Sequence, residues 1–218
     1  MIEAVSLPVG KAVSLLDRVI GRLRRRPRLK RLLVVSRPLQ GPQPVYECLL
    51  PLEIEALPGD KEEVEASLSH LPTEHTFDIA ERLRRGDGCI VAKHGGRVVY
   101  VVWVAFKKYY SHLLDREYEL ANDEIFTYGA YTVPEFRGKG IQPTVACRMY
   151  GGMKDTGYKR LLAFIDPKNP SAMSIIDKYG YERVGMSGYV EIFGIRWHFH
   201  WDGGAFSTLA KRHYLRKV

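Results

Sequence analysis

The chain has 218 residues, a hydrophobic fraction of 45%, a charged fraction of 27% and a formal net charge of +8. Length and composition suit one large globular domain, or a domain with an appendage. Cys48, Cys89 and Cys147 stand far apart with no C-x-x-C pair, which excludes a disulfide framework or zinc ribbon and reads as reduced thiols of a cytoplasmic protein.

The N-terminal Met1–Gly10 carries Glu3 and no basic region before its apolar part, so it does not read as a secretory signal. The charge is local. Arg18, Arg22, Arg24, Arg25, Arg26, Arg28, Lys30 and Arg31 lie together with no acidic residue between them, and the rest of the chain is neutral overall. A smaller cluster, Lys211, Arg212, His213, Arg216 and Lys217, ends the chain.

In chain order, apolar residues at helical spacing (Ala12, Leu16, Val19, Leu23) predict a helix over Lys11–Leu23 that Pro27 ends. Arg31–Ser36 reads as a strand. Val45–Leu50 and Glu53–Leu57 read as the next strand region. Asp60–Arg85 reads as two helices broken near Pro72, with Asp60 and Glu63 placed as a capping box. Gly88–Lys93 and Arg97–Lys107 read as strands joined by a turn at His94-Gly95-Gly96. The apolar run Val98–Phe106 has nine residues, against about 20 for a membrane-spanning helix, so a buried strand explains it. Glu124–Val133 is a further strand, Gln142–Thr156 a helix with Pro143 in its first turn, and Arg160–Ile165 a short buried strand. Ser171–Tyr179 is a helix closed by Gly180. Tyr181–Met186 and Tyr189–His200 form a final antiparallel pair. This order implies an α/β fold with one mixed sheet.

The stretch that carries chemistry is Val133–Ile141, VPEFRGKGI. A strand ends, a glycine-containing loop follows, and a helix begins. Gly138 and Gly140 let a ligand approach the backbone. Successive amides at a helix start favour phosphate, and Arg137 and Lys139 add positive charge. The pattern is neither a Walker A loop nor a dinucleotide fingerprint. Read by itself, a tight strand-to-helix turn is the competing explanation.

Further on comes DPKNPSAMSIIDKYGY, Asp166–Tyr181. With the loop Glu135-Phe136-Arg137-Gly138-Lys139-Gly140, the Asn169–Ala172 segment and the closing Gly180-Tyr181, the sequence resembles the GNAT acyltransferase superfamily over residues 60–201. That family carries a Gln/Arg-x-x-Gly-x-Gly/Ala pyrophosphate loop, then Asn-x-x-Ala/Ser.

The resemblance implies a mixed central sheet with splayed fourth and fifth strands, helices on both faces, and a basic N-terminal helix–strand extension. The domains would be 1–44 (extension), 45–202 (acyltransferase) and 203–218 (basic tail). It implies transfer of an acyl group, acetyl by default, from acyl-CoA to a primary amine in a ternary complex, without a metal. Backbone groups of Tyr131 and Val133 would pair with the pantetheine arm. Amides of Arg137, Gly138, Lys139, Gly140 and Ile141 would hold the pyrophosphate, and Asn169 would bond the pantetheine.

Three positions depart from the family pattern. Glu135 replaces Gln or Arg, Pro143 removes one amide donor, and Ile176 stands where many members carry a tyrosine acid. Tyr179 is the substitute acid, weighed against plain packing. Glu124 is the first candidate base, weighed against a strand-end cap; Asp123 and His112 come behind it.

Other features leave alternatives open. His198 and His200 share one strand face and read as polar-face residues rather than metal ligands. Tyr109, Tyr110, Tyr118 and Tyr128 line the acceptor pocket or form a surface loop. Cys147 reads as a buried thiol. Residues 11–31 read as a docking helix with a basic rim, as a contact with an anionic membrane surface, which would place the protein peripherally at a membrane, or, less favoured, as a nucleic-acid contact. The final strand pair could build a homodimer. A non-catalytic acyl-CoA sensor is the competing function, supported by Ile176.

Overall fold

The computed structural model describes residues 26–41 and 45–201. The predicted helix Lys11–Leu23, the first half of the N-terminal basic run and the basic C-terminal cluster lie outside the described residues.

The elements run β1 (Arg28–Pro38), β2 (Glu53–Leu57), α1 (Lys61–Leu68), α2 (Thr73–Thr76), α3 (Ile79–Arg84), β3 (Gly88–His94), β4 (Arg97–Ala105), β5 (Lys108–Ser111), β6 (Arg116–Glu119), β7 (Glu124–Thr132), a 3-10 turn (Pro134–Phe136), α4 (Ile141–Asp155), β8 (Arg160–Ile165), α5 (Pro170–Lys178), β9 (Glu182–Ile192) and β10 (Ile195–Trp201). Eight strands form one sheet in the order β10-β9-β1-β8-β7-β4-β3-β2, and β5 and β6 pair separately. Only β7 and β8 pair in parallel; all other neighbours are antiparallel.

Local signals position several elements as read. Asp60 Oδ1 accepts from the Glu63 amide at 2.9 Å and starts α1. Asn169 caps α5, with Pro170 in its first turn. Alternation along the strands separates two apolar layers. Val64, Leu68 and Ile79 pack with Cys89, Val91, Val101 and Trp103 on one face. On the other, Ile141 and Val145 of α4 meet Tyr100 and Val102, and Ile176 of α5 meets Val35 and Ile165.

Four expectations are corrected. First, β1 is interior to the sheet, hydrogen-bonded between β8 and β9, so a boundary at residue 44 cuts through the folded unit. The basic start of β1 hides a strand whose second half, Leu32–Arg37, is mostly buried. Second, Val45–Leu50 forms no strand; Tyr46 and Glu47 lie against the start of α4, and the edge strand is Glu53–Leu57 alone. Third, the final hairpin turns at Phe193 and Gly194, whose φ values of 53° and 77° suit a two-residue hairpin turn, and not near Gly188. Gly188 faces the Lys30 carbonyl and the Phe199 ring so closely that a side chain has no room, so the glycine there serves packing. Fourth, β5 and β6 form a hairpin where a tyrosine-rich loop was one reading. Tyr109 stacks on Phe126 at 4.0 Å, and Tyr118 is buried with its hydroxyl 2.6 Å from Ser187. These tyrosines are core residues.

Candidate active site

The pairing of β7 with β8 runs Glu124↔Arg160 to Thr127↔Ala163 and stops, although β7 stays paired with β4 as far as Thr132. The two strands therefore part after Thr127. At the vertex β7 bulges: Tyr131 faces Val101 and Tyr128 faces Trp103, leaving Gly129 and Ala130 opposite Val102. Gly129 adopts φ 63°, and a Cβ there would meet Trp103 at 3.3 Å, so glycine suits both the conformation and the packing.

Beyond the vertex, the amide of Val133 donates to the Val99 carbonyl at 3.0 Å. That donor is spent within the sheet, and Tyr131, two residues back, shares its orientation. In an antiparallel ladder successive residues turn their polar groups to opposite sides. The groups facing the opening thus belong to Ala130 and Thr132, one residue out of phase with the sequence expectation. The Thr132 carbonyl accepts from Arg137 Nε at 3.1 Å.

The loop above the opening fits an anion. Gly138 and Gly140 have φ of 75° and 81°, which turn successive amides to one side. Among the described residues, the amides of Gly138, Lys139, Gly140, Ile141 and Gln142 donate to no protein acceptor. Arg137 leans over the Tyr131 ring and Lys139 over Phe136, which holds both cations at the loop. Pro143 contributes no amide.

Between α4 and α5 a narrow cavity of about 60 Å³ reaches the vertex, lined by Thr127, Ala130, Pro143, Ala146, Ile175 and Tyr179. Burial raises the Tyr179 phenol above its ordinary pKa, so it is protonated at neutral pH. Ile176 points into the core. Tyr46, in the connection from β1 to β2, bridges the two helices: Thr144 Oγ1 donates to its carbonyl at 3.1 Å and its hydroxyl donates to the Lys178 carbonyl at 3.2 Å. Asn169 Oδ1 accepts from the Ala172 amide at 3.1 Å, which spends the side-chain oxygen on the helix cap.

Glu124 does not reach this region. It begins β7, at the end of the β7–β8 pairing opposite to the point where the strands part, and is 2% exposed. One carboxylate oxygen accepts from the Ala121 amide at 3.0 Å and the other from Arg160 at 2.5 Å. It is a strand-end cap and ion-pair partner, which removes it as a base at the vertex. Asp123 pairs with Lys159 and His112 with Asp78. Cys147 is half-buried and its thiol is raised by burial, which disfavours a reactive thiolate. His198 and His200 contact the rings of Tyr189 and Tyr118. Among the described residues no cluster of three His, Cys, Asp or Glu is arranged to hold a metal, and no helix is long and apolar enough to cross a membrane.

On the opposite face, sequence reading missed a polar cluster. His75 of α2 stacks on Tyr131 with centroids 3.9 Å apart. Burial, with smaller contributions from the Arg82 and Arg137 charges, lowers its pKa below 6.5, so the ring is neutral at pH 7. Tyr128 donates to Asp87 Oδ2 at 2.5 Å, and Arg85 reaches the same oxygen at 3.3 Å. Burial raises the Asp87 carboxyl and the Tyr128 phenol. Lone His, Arg and Asp residues spread over residues 75–87 carry no motif, so only the α2–α3 turn that folds them over β7 could reveal the cluster.

With this geometry in hand, comparisons with solved structures decide the fold. A GCN5-related N-acetyltransferase from Kribbella flavida matches with a TM-score of 0.51 and 15% identity over 91% of this chain and 65% of its own. The fold is that of the GCN5-related N-acetyltransferases. A Drosophila protein matches with a TM-score of 0.53 and 12% identity over 87% of this chain and 60% of its own. A GCN5-related glucosamine N-acetyltransferase region of a fungal multi-domain β-N-acetylglucosaminidase matches with a TM-score of 0.50 and 13% identity, over 91% of this chain and 24% of that one. This chain thus spans less than two thirds of the length of each of these three structures. No protein-family model and no curated protein matches the sequence. In this chain β7 and β8 are the strands that part, and α4 and α5 flank the cavity beside them.

Proposed function

We propose that the chain is an acyl-CoA-dependent N-acyltransferase that passes an acyl group, acetyl by default, directly to a primary amine in a ternary complex. The observation that carries this reading is the end of β7–β8 pairing at Thr127↔Ala163 beside a loop whose amides are unspent. The loop amides with Arg137 and Lys139 suit a pyrophosphate. The edge at Ala130 and Thr132, where among the described residues only the Thr132 carbonyl is engaged, by Arg137 Nε, suits the amide groups of a pantetheine arm, which would add to β7 as a strand does. The narrow cavity must widen to admit that arm; Tyr179 lines it, and movement of the Tyr46 ring that packs edge-on against Tyr179 would open it.

Tyr179 supplies the proton for the leaving thiolate; a thiol of pKa near 8.5 needs only modest help. Deprotonation of the amine falls to His75 and not to Glu124, because His75 is neutral and sits on the face opposite the cofactor cleft. Rate enhancement then comes mainly from positioning and from backbone donors at the vertex.

A second reading, a non-catalytic acyl-CoA sensor, draws support from the burial of Ile176 and the commitment of Glu124 to Arg160. A thermal-shift titration with acetyl-CoA, longer acyl-CoAs and free CoA tests both. A melting temperature that rises with concentration is expected. No shift on folded protein removes the acyl-CoA reading altogether. A shift without thiol release against an amine panel leaves the sensor.

A further inference from the structure

We infer that Arg82 recognises a carboxylate on the acceptor, so that the acyl-accepting amine belongs to an amino acid or a close relative with amine and carboxylate one or two carbons apart. The inference rests on the acyltransferase reading above and specifies its acceptor.

Arg82 lies in α3 and is 4% exposed. Its Nε and Nη1 are buried, and neither finds a hydrogen-bond acceptor among the described residues. The guanidinium instead sits within 5.3 Å of three ring centroids, those of Phe77, Trp103 and Tyr128. The nearby carboxylates do not satisfy it: Asp87 Oδ2 accepts from Tyr128 and Arg85 while its buried Oδ1 has no partner among the described residues, and Asp78 holds His112. Trp103 Nε1 is a third buried donor without a partner. Buried polar groups are normally matched; here, among the described residues, three unpartnered donors, Arg82 Nε, Arg82 Nη1 and Trp103 Nε1, stand against one unpartnered acceptor, Asp87 Oδ1, and a planar carboxylate with two oxygen acceptors is the natural complement of a guanidinium edge.

The location selects the acceptor rather than the cofactor. A Cβ on Gly129 would stand 3.6 Å from Arg82 Nη1, so the guanidinium lies against the bulge where β7 leaves β8. It approaches from the α1–α3 face, whereas the cofactor cleft opens between α4 and α5 on the other face. A carboxylate held by Arg82 would bring an α- or β-amine to the vertex, with His75 close enough to feel the Arg82 charge.

The test compares glycine, alanine, β-alanine and glutamate with glycinamide, alaninamide and ethylamine. Thermal shift is read with and without saturating CoA, and thiol release is read with acetyl-CoA. Arg82→Met and Arg82→Lys are run beside the wild type. Expected is a preference of about 100-fold in kcat/KM for at least one carboxylate-bearing amine over its amide, reduced to below about tenfold in Arg82→Met and partly kept in Arg82→Lys. Wild-type protein that uses amides and plain amines as well as the amino acids overturns the inference, whether or not the variants fold. So does an Arg82→Met variant that is folded and loses all acceptors equally. The two readings separate cleanly. A CoA shift without any amino-acid preference sinks the Arg82 inference alone. An amino-acid shift without a CoA shift sinks the acyl-CoA reading and leaves Arg82 as a carboxylate site.

Discussion

Tyr46 stands edge-on to Tyr179, with ring centroids 5.1 Å apart, and through its hydroxyl and carbonyl joins the end of α5 to the first turn of α4. The contact spans the gap between α4 and α5; under the proposed function a pantetheine arm enters there and gains room when the ring swings away. An aromatic edge pair is worth about 0.5–1.5 kcal/mol beyond its buried area. Losing that cost improves CoA binding by a factor of about 2–12. Tyr46→Ala is therefore expected to lower the Kd for free CoA by this factor in calorimetric titration, with a small drop in melting temperature. A Kd that stays the same or rises shows that Tyr46 is a wall of the site and not a cover.

Gly140 caps α4 with φ 81°, and a Cβ on it would lie 3.3 Å from the Glu47 carbonyl. Alanine there faces both a left-handed backbone, costing about 1–2 kcal/mol, and the strand of chain that carries Leu49, whose amide donates to the Lys139 carbonyl at 3.2 Å. Gly140→Ala is expected to lose roughly 1–2 kcal/mol of stability in urea denaturation and to weaken CoA binding at least tenfold, because the loop amides turn with it. Loss of stability with intact CoA affinity dissociates the loop from the pyrophosphate.

Replacing Glu124 tests whether it or His75 is the base of the proposed reaction. Its carboxylate side chain is 3% exposed while that of Arg160 is 36% exposed, so the pair is partly screened. Glu124→Gln keeps an acceptor for the Ala121 amide and removes the charge facing Arg160. A loss of about 1–3 kcal/mol in stability is expected, with kcat per folded molecule within about twofold of wild type. A drop of about 100-fold in kcat on folded protein, the range of general-base catalysis, restores Glu124 as the base.

The loop and its flanking elements were legible because their signals are local. Val133, Gly138, Gly140 and Pro143 report a strand end, a turn and a helix start within eleven residues, and β8 was placed to the residue. What the sequence hid depends on distant partners. β1 reads as part of a basic arm because its first residues are exposed cations, and its place between β8 and β9 is set by long-range pairing. The phase of β7 was missed because a bulge at Gly129 and Ala130 leaves no trace in alternation when both faces are partly buried. His75, Arg82 and Asp87 gain meaning only when α2 and α3 fold across Trp103 and Tyr131.

The last prediction concerns pH. His75 has a folded pKa below its ordinary 6.5, from burial first, opposed by the Glu74 charge and aided by the smaller Arg82 and Arg137 charges. If it takes the amine proton, the acid limb of kcat/KM falls below pH 6.5, since activity needs the neutral ring and the profile reports the free enzyme. The same shift sets a sign for stability. Between the lowered folded pKa and 6.5 the unfolded chain binds the proton more readily, so the contribution of His75 is fully present above pH 6.5 and is lost as pH falls through that window. His198 is lowered in the same direction, so the comparison is wild type against His75→Gln. The variant is expected to lose the acid limb, to fall about 100-fold in kcat/KM at pH 7, and to lose less stability between pH 7 and pH 5.5 than the wild type. A variant that keeps both the limb and the rate shows that the amine loses its proton to solvent, and the stacked ring on Tyr131 is then a packing contact.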